Sequence, residues 1–277
     1  MSEKLQKVLA ARGLGSRREM ERWIERGRIK VDGVVATLGQ RVEADAVIEA
    51  DGNVVAKPRA QHSRMLVMNK RAGTVVSRKD DKRETVFDKL PRLTDGRWIA
   101  VGRLDIATSG LLLFTNDGAM AHRLMHPSTG IDREYAVRTE GRLDDEQLEA
   151  LRRGVEIDGV LESFSDIQYY DGQGSNHWYH VCLMEGRNRE VRRLFASQGV
   201  NVTRLKRVRY GPVVIPSWLK RGQLTEMAAE DVAELYRIVG LEYIPPPAPA
   251  KRAGKKKREA AERSLLIPYP DLTGSRR

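Results

Sequence analysis

The order of strand-like and helix-like segments limits the fold of this chain more than any other sequence feature. Strand-like runs occur at 64–69, 110–115, 133–139 and 178–184, and helical spacing occurs at 120–125, 144–153 and 189–196. These segments lack the strict strand–helix alternation that a doubly wound parallel sheet requires. The sequence therefore predicts an α+β fold, with a largely antiparallel mixed sheet and flanking helices.

The first 60 residues carry a pattern of their own. An apolar helical stripe at 5–9 precedes Ser16 and Glu19, whose spacing is that of a capping box at the start of a second helix. Asp32 and Gly33 then lie between alternating apolar residues, as in a β-hairpin turn. We expect a small separate domain over 1–60.

Two changes in composition set the remaining boundaries. The segment 57–64 has the character of a polar linker, so a second and larger domain is expected over 61–240. From Pro245 the sequence reads PPPAPAKRAGKKKREAAERS, which contains almost no large apolar side chains. A segment of this kind buries too little apolar surface to fold, so we expect a disordered basic tail over 241–277.

The formal net charge of +11 favours a polyanionic partner, either RNA, DNA or an anionic membrane surface. Membrane is the weakest of the three, because the longest apolar run, Leu111 to Phe114, is far too short to cross a bilayer. The charged start has no signal-peptide apolar region, and the single cysteine, Cys182, cannot form an intrachain disulfide. These features predict a soluble, cytoplasmic protein, and no interface signal argues against a monomer.

Several common catalytic patterns are missing from the sequence. It contains no Walker-type phosphate loop, no GxGxxG after a strand and no GxSxG elbow. His177 and His180 would lie on opposite faces of a strand, and His122 and His126 lack the neighbouring carboxylate of a zinc motif. We therefore expect no nucleotide cofactor, no other cofactor and no metal site.

One candidate for chemistry is the segment VGRLDIATSGLLLFTN at 101–116. Here Arg103 and Asp105 lie in a small-residue turn that leads into a buried apolar strand. Spacing alone favours a turn or ion-pair role for Asp105, while its place at the edge of a core is also compatible with a catalytic carboxylate. The residues by themselves leave both interpretations open.

A second candidate is the segment EGRNREVRRLFASQG at 185–199, in which apolar residues mark one face of a helix. Arginines crowd the start of that helix, at Arg187, Arg189, Arg192 and Arg193. Because positive charge near a helix N-terminus opposes the helix dipole, these arginines indicate an acidic partner. That partner is either a phosphate backbone or an internal carboxylate such as Asp105.

The N-terminal unit also presents a basic surface around its second helix. The candidate RNA-binding residues there are Arg17, Arg18, Arg22, Arg28 and Lys30. A solvated charged face is the alternative interpretation.

These motifs resemble the RsuA/RluB-type family of ribosomal RNA pseudouridine synthases over nearly the whole chain up to about residue 240. GRLDIATSGLLLFTNDG, REYAV at 133–137 and EGRNREVRRL are similar to three signatures of that family. The stretch from KLQKVLAARGLGSRRE to GRIKVDG resembles the small RNA-binding domain of a ribosomal protein. The segments GRNREVRRL and MHPS are most similar to those of the large-subunit (23S) enzymes. Small-subunit enzymes more often have histidine and glutamine at positions 189 and 190.

The resemblance implies a role for each matching residue. Asp105 would be the catalytic aspartate, Tyr135 would pack against the flipped base and serve in proton transfer, and Arg192 would pair with Asp105. Arg103 would fill the space left by the flipped nucleotide, with Val191 in the apolar pocket wall. Arg187 and Arg189 are further candidate RNA contacts. Without the family, a core aromatic on a strand is the simpler interpretation of Tyr135.

The implied reaction isomerises a uridine to pseudouridine in ribosomal RNA, and it needs neither metal nor cofactor. Three alternatives remain open from the sequence. The first is a small-subunit pseudouridine synthase, and the second is a ribosome-assembly factor that binds rRNA without chemistry. The third is a DNA-binding regulator whose arginine-rich helix enters a major groove, but it leaves the larger domain unexplained.

Overall fold

The structure is a computed structural model, and it describes residues 2–56, 62–94, 96–246 and 264–272. The chain divides into two compact units, Met1–His62 with Pro91–Trp98, and Ser63–Leu90 with Ile99–Arg277. Pro91–Trp98 thus belongs by its contacts to the first unit, although it lies inside the range 61–240. Within the described ranges, no helix is both long enough and apolar enough to span a membrane.

The first unit is small and mixes short strands with two helices. Its strands are β1 (Glu3–Lys4), β2 (Ile29–Val31), β3 (Val34–Val35), β4 (Arg41–Val42), β5 (Ile48–Ala50) and β6 (Asn53–Val54), and its helices are α1 (Leu5–Ala11) and α2 (Arg17–Glu25). Strands β3, β2, β5 and β6 pair in that order, and β1 pairs with β4. Leu5, Leu9, Met20 and Ile29 are fully buried between the helices and the sheet.

Local sequence signals set the ends of these elements. Ser16 accepts from the Glu19 amide at 3.1 Å, and the Glu19 carboxylate accepts from the Ser16 amide, which confirms the predicted capping box. Asp32 and Gly33 both have positive φ, as a two-residue hairpin turn between β2 and β3 requires.

The second unit is built on a large mixed sheet. Its strands are β7 (Met65–Lys70), β8 (Ile99–Val101), β9 (Thr108–Thr115), β10 (Arg133–Glu140), β11 (Val155–Ile157), β12 (Val160–Glu162), β13 (Asp166–Gln173), β14 (Asn176–Leu183), β15 (Asn201–Tyr210), β16 (Val213–Val214) and β17 (Leu224–Glu226). The main sheet runs β13-β14-β10-β15-β9-β7-β17, with β16 beside β15 and β8 beside β9. Only the β15–β9 pair in this described sheet is parallel. The predicted largely antiparallel α+β fold is therefore confirmed.

Four α-helices of the second unit lie within the described residues. They are α3 (Gly118–Met125), α4 (Asp145–Arg153), α5 (Glu190–Ser197) and α6 (Ala229–Ile238), and 3-10 turns occur at Val86–Lys89 and Pro127–Thr129. Helices α3 and α6 share a buried apolar cluster with β7 and β9, in which Leu111, Leu113 and Leu235 are fully buried. Phe195 of α5 packs on Tyr179 of β14, with ring centroids 5.4 Å apart.

The two faces of β10, β14 and β15 differ in character. We call the face that packs against α5 the inner face, and it carries Tyr135, Val137 and Val181. The opposite, outer face carries Glu134, which lies across from Cys182, and a set of polar side chains. Because neighbouring strand residues point to opposite faces, one strand contributes to two different environments.

The last described segment, 264–272, differs from the predicted disordered tail. Leu265 is buried, the Val214 amide donates to its carbonyl at 2.9 Å, and the Leu272 amide donates to Ile238 at 2.9 Å. Leu265, Leu266 and Tyr269 supply the apolar surface that the preceding lysine-rich stretch lacks. Burial of this surface offsets the conformational entropy lost when the segment is ordered. Residues 247–263 and 273–277 of the predicted tail lie outside the described residues.

Candidate active site

A cleft of about 1040 Å³ opens in the second unit, and six of the seven predicted site residues of this unit line it. They are Asp105, Tyr135, Arg103, Val191, Arg187 and Arg189. These residues come from the turn before β9, from β10 and from the start of α5, which are far apart in the sequence. The fold therefore brings the three motifs together at one place.

Asp105 lies in the turn between β8 and β9 and is half-buried. The Thr108 amide donates to the Asp105 carbonyl at 3.0 Å, and this bond closes the turn. Gly102 at its start has a φ of +75°, a conformation that favours glycine. The backbone thus holds the aspartate at the cleft wall while its side chain stays accessible.

Lys70, at the end of β7, holds that turn by hydrogen bonds to its backbone. Its side chain is completely buried, and Nζ donates to the carbonyls of Thr108 at 2.8 Å and Asp105 at 3.1 Å. Burial lowers the pKa of the ammonium group to about 8, while the charge of Asp105 opposes the shift. Sequence reasoning missed this residue, because a lysine at a strand end looks like an ordinary surface charge.

Tyr135 forms part of the cleft wall opposite the Asp105 turn. It lies on the inner face of β10, opposite Val181 on one side and Arg207 on the other. Only 8% of its surface is exposed. Such a ring offers an apolar face to a planar ligand, so its position suits the predicted packing against a base.

Arg192 lies in the first turn of α5 and is half-buried. Burial and the neighbouring Arg189 lower the pKa of its guanidinium, and attraction to Asp105 opposes this. Its Nη1 donates to the Val202 carbonyl at 2.7 Å, and no ion pair with Asp105 is present among the described residues. The predicted partners are therefore electrostatically coupled without direct contact.

The arginines that precede α5 lie at the rim of the cleft. Arg189 is exposed and has a φ of +51°, and Arg187 is paired with Glu185 at 2.6 Å. The Arg187 amide donates to Glu190 at 2.8 Å, and burial raises the pKa of that carboxyl. Arg187 thus lies before the helix and Arg189 at its N-cap, while Arg192 and Arg193 lie in its first turn.

The deepest part of the wall contains polar groups that the motif analysis did not single out. Arg207 of β15 and Thr108 of β9 are both 2% exposed and line the cleft. Arg133 of β10 also lines it, and its guanidinium donates to three acceptors, the Ile131 and Met184 carbonyls and the Tyr210 hydroxyl. The sequence around Arg207 is rich in basic residues, with Arg204, Lys206 and Arg209 nearby, and nothing in this pattern indicates which of them is buried.

The basic residues predicted in the first unit fall into two groups. Arg17, Arg18, Arg22 and Lys30 are exposed around α2 and β2. Arg28 is half-buried, lies 3.7 Å from the Trp23 ring centroid and donates to Asp51 at 2.8 Å. Its guanidinium is therefore engaged within the unit, whereas the other four side chains face solvent.

The cleft has the properties of a site for part of a polyanion. Exposed arginines at the rim suit phosphate groups, while the half-buried carboxylate and the tyrosine lie where a planar group could enter. The described residues contain no cluster of three or more histidine, cysteine or carboxylate side chains that could hold a metal ion. What the chain itself offers for chemistry is thus a carboxylate, a phenol and guanidinium groups.

Comparison with known families gives two matches. The model described as RNA pseudouridylate synthase matches residues 64–197, which include the Asp105 turn, β10 and α5. The S4 domain model matches residues 3–48 of the first unit.

Individual relatives cover nearly the whole chain. Two curated proteins named ribosomal large subunit pseudouridine synthase B are similar to it. The one from Pseudomonas aeruginosa is 52% identical over 95% of this chain and 68% of its own length, and the one from Salmonella typhimurium is 48% identical over 100% and 97%. A crystal structure of a pseudouridylate synthase aligns with a TM-score of 0.59 at 23% identity, over 84% of this chain and 99% of the other.

Proposed function

The chain belongs to the RNA pseudouridylate synthase family, and from this premise we propose that it isomerises a uridine of large-subunit (23S) ribosomal RNA to pseudouridine. The observation that carries the proposal is the joint position of Asp105 and Tyr135 in one cleft of the matched segment. The relatives' names supply the large-subunit assignment.

Isomerisation requires the target base to leave the RNA stack. The uracil must detach from the ribose, turn and rejoin through carbon five, which a base-paired stack does not permit. The cleft is large enough to admit an extruded nucleotide. Arg103, exposed at its edge, is in a position to occupy the space that the nucleotide leaves behind.

Asp105 supplies the reactive group in this proposal. Its carboxylate either attacks the sugar or the base, or stabilises the positive charge that develops on the ribose. The charges of Arg192 and Lys70 attract this carboxylate. Tyr135 packs against the flipped base and serves in proton transfer, with Val191 in the apolar wall.

We propose that the first unit binds a part of the rRNA other than the reacting nucleotide. Its exposed residues Arg17, Arg18, Arg22 and Lys30 suit contacts with the phosphate backbone. Arg28, although engaged with Asp51, lies beside them. We further propose that the enzyme acts as a cytoplasmic monomer without a nucleotide or other cofactor.

The test is pseudouridine mapping of ribosomal RNA from cells with and without the protein. We expect one large-subunit position to lose its modification, wild type to restore it and Asp105→Asn to fail. Asp105→Asn removes the ionised carboxylate and almost no volume, so it should bind RNA as wild type does.

The same experiment separates the alternatives. Loss of a small-subunit modification would show that the substrate is small-subunit rRNA. An unchanged map, together with rRNA binding by the purified protein, would leave the non-catalytic assembly factor. A preference for duplex DNA over structured RNA would favour the regulator.

A further inference from the structure

Two polar atoms in the wall of the cleft are buried without a hydrogen-bond partner among the described residues. They are Nη2 of Arg207 and Oγ1 of Thr108, and both residues are 98% buried. Both residues line the same cleft as Asp105. A buried polar group left unpaired destabilises the fold, and more so when it is charged, so its retention needs an explanation.

The strand register places these residues on two adjacent strands, two positions apart. In the parallel β15–β9 pair, Leu205 lies opposite Thr108, and Arg207 lies opposite Gly110. A side chain on Gly110 would bring its Cβ within 2.1 Å of the Arg207 carbonyl, so only glycine permits this close approach. The two unpaired groups are therefore held on one rigid surface.

The Arg207 guanidinium is also fixed in orientation. Its Nε donates to the Leu111 carbonyl at 2.8 Å, and its plane lies 5.0 Å from the Tyr210 ring centroid. No carboxylate lies within ion-pair distance of Arg207 in the described part of the chain. By contrast Arg209, two residues later, is paired with Asp132 at 2.7 Å and Glu134 at 2.9 Å.

We propose that Arg207 and Thr108 form a subsite for the Watson–Crick edge of the flipped uracil, an inference that rests on the proposed function. Arg207 donates to a uracil carbonyl oxygen, and Thr108 accepts the hydrogen of N3. A phosphate is the poorer candidate, because phosphates stay on the backbone near the exposed arginines of the rim, whereas the extruded base reaches the deeply buried wall. Cytosine has an acceptor at N3 and an amino group at C4, so this pair of groups also discriminates against it.

The subsite assists the reaction as well as recognition. When the bond between N1 and the ribose breaks, its electron pair passes to the uracil ring and charge develops on the carbonyl oxygens. Arg207 stabilises that charge without reorganisation, because it is already in place. The ring then bonds to the ribose through carbon five, which releases its proton, and N1 takes up a proton, so the product is an isomer of the substrate.

The test compares Arg207→Lys with Arg209→Lys in the full-length protein on an rRNA fragment that wild type converts. We expect Arg207→Lys to lower the single-turnover rate by about 10²-fold, with the Kd for the RNA within about threefold of wild type. Arg209→Lys, the matched change on the same strand, should lower the melting temperature and leave the rate within about threefold. Equal rates for wild type and Arg207→Lys would overturn the proposal.

Two further measurements exclude a purely structural effect. Thr108→Val keeps the shape of the side chain, and we expect it to lower the rate about tenfold without a loss of melting temperature that would explain it. Replacing the target uridine by 2-thiouridine or 4-thiouridine weakens one carbonyl acceptor at a time. One of these analogues should slow wild type while slowing Arg207→Lys no further.

Independent, additive effects of the thio substitution and Arg207→Lys would overturn the contact. Failure of wild type itself to convert any uridine would instead overturn the proposed function. The two failures are therefore distinguishable.

Discussion

The inner and outer faces of the same strands differ in whether their buried charged groups are paired. On the outer face, Arg209 binds Asp132 and Glu134, His180 contacts Glu134 at 3.1 Å, and the Tyr269 hydroxyl donates to Asp132 at 2.7 Å. We call this group the outer network. In the wall of the cleft, Arg207 has an unpaired nitrogen among the described residues.

The difference teaches where to look for function in a strand rich in arginine. Although burial opposes it, the hydrogen bonds from Arg209 hold the pKa values of Asp132 and Glu134 below their ordinary range. A satisfied network of this kind stabilises the fold, whereas the unpaired nitrogen of Arg207 is the basis of the proposed uracil subsite. Arg207 and Arg209 are two residues apart but lie on opposite faces, because the pairing of β10 with β15 shifts register between Glu134 and Tyr135. Equal charge on one strand thus serves two purposes.

The largest effect is expected in the cleft, from Arg192→Met. This change removes the cation that attracts Asp105, so we expect the turnover rate to fall about 10²-fold with little change in RNA affinity. Arg193→Met is the control on the same helix, because Arg193 is paired with the buried Glu162 and should affect stability alone. If the rate of Arg192→Met stays within threefold of wild type, the role of Arg192 is only its hydrogen bond to the Val202 carbonyl.

Lys70→Met removes the donor that supports the Asp105 turn. Because the Asp105 and Thr108 carbonyls lose a buried partner, we expect the free energy of unfolding to fall by about 2–3 kcal/mol. A looser turn should also lower turnover about tenfold. Urea unfolding and single-turnover rates test both effects, and an unchanged rate in a destabilised protein would reduce Lys70 to a purely structural residue.

Arg209→Met should break the outer network and leave the cleft intact. It leaves two partly buried carboxylates without their cation, so we expect a loss of about 2 kcal/mol in the free energy of unfolding. Turnover at a temperature where the variant is folded should stay within threefold of wild type. A large loss of turnover would show that the two faces are coupled.

Acid provides a second test of the outer network. A carboxyl whose pKa is lowered on folding contributes stability above its unfolded pKa of about 4, and loses it as the pH falls through the folded value. We expect the stability difference between wild type and Asp132→Asn to be constant above about pH 5 and to shrink at lower pH. Urea titrations from pH 7 to pH 3 measure it, and a difference independent of pH would contradict the assignment.

The smallest effect is expected from Tyr269→Phe. It deletes the two hydrogen bonds of the Tyr269 hydroxyl, one donated to the Asp132 carboxylate and one accepted from the Asp132 amide. We expect a loss of about 1 kcal/mol with no change in turnover. Thermal unfolding of the full-length variant measures the loss. An unchanged melting temperature would mean that the apolar packing and backbone hydrogen bonds of the segment hold it without the Tyr269 hydroxyl.

Much of the fold could be predicted from periodicity. The predicted strands at 110–115, 133–139 and 178–184 lie inside or within one residue of β9, β10 and β14, because apolar spacing reports directly on burial. Strand β15 was missed, since four of its ten residues are arginine or lysine and no regular alternation of apolar residues marks it as a strand. Helix α6 was also missed, and with it the apolar cluster that it shares with β9.

Some residues of the candidate site could be recognised in the sequence and others could not. The motif containing Asp105 and the strand containing Tyr135 were recognisable locally, and the structure places both in one cleft. The expected direct pair between Arg192 and Asp105 was an inference about distance, which spacing along a chain does not determine. Lys70 and Arg207 could not be recognised, because only their neighbours make them different from surface cations.

The sequence by itself determined the α+β class, the capping box of α2, the hairpin turn at Asp32-Gly33 and the motif that carries Asp105. Each of these depends on residues within a few positions of one another. Tertiary structure decided which charges are buried and which of them are paired. Arg207 and Arg209 are two residues apart, yet their environments come from β9 in one case and from residues 132, 134 and 269 in the other. Burial and pairing depend on segments distant in sequence, so no local pattern records them.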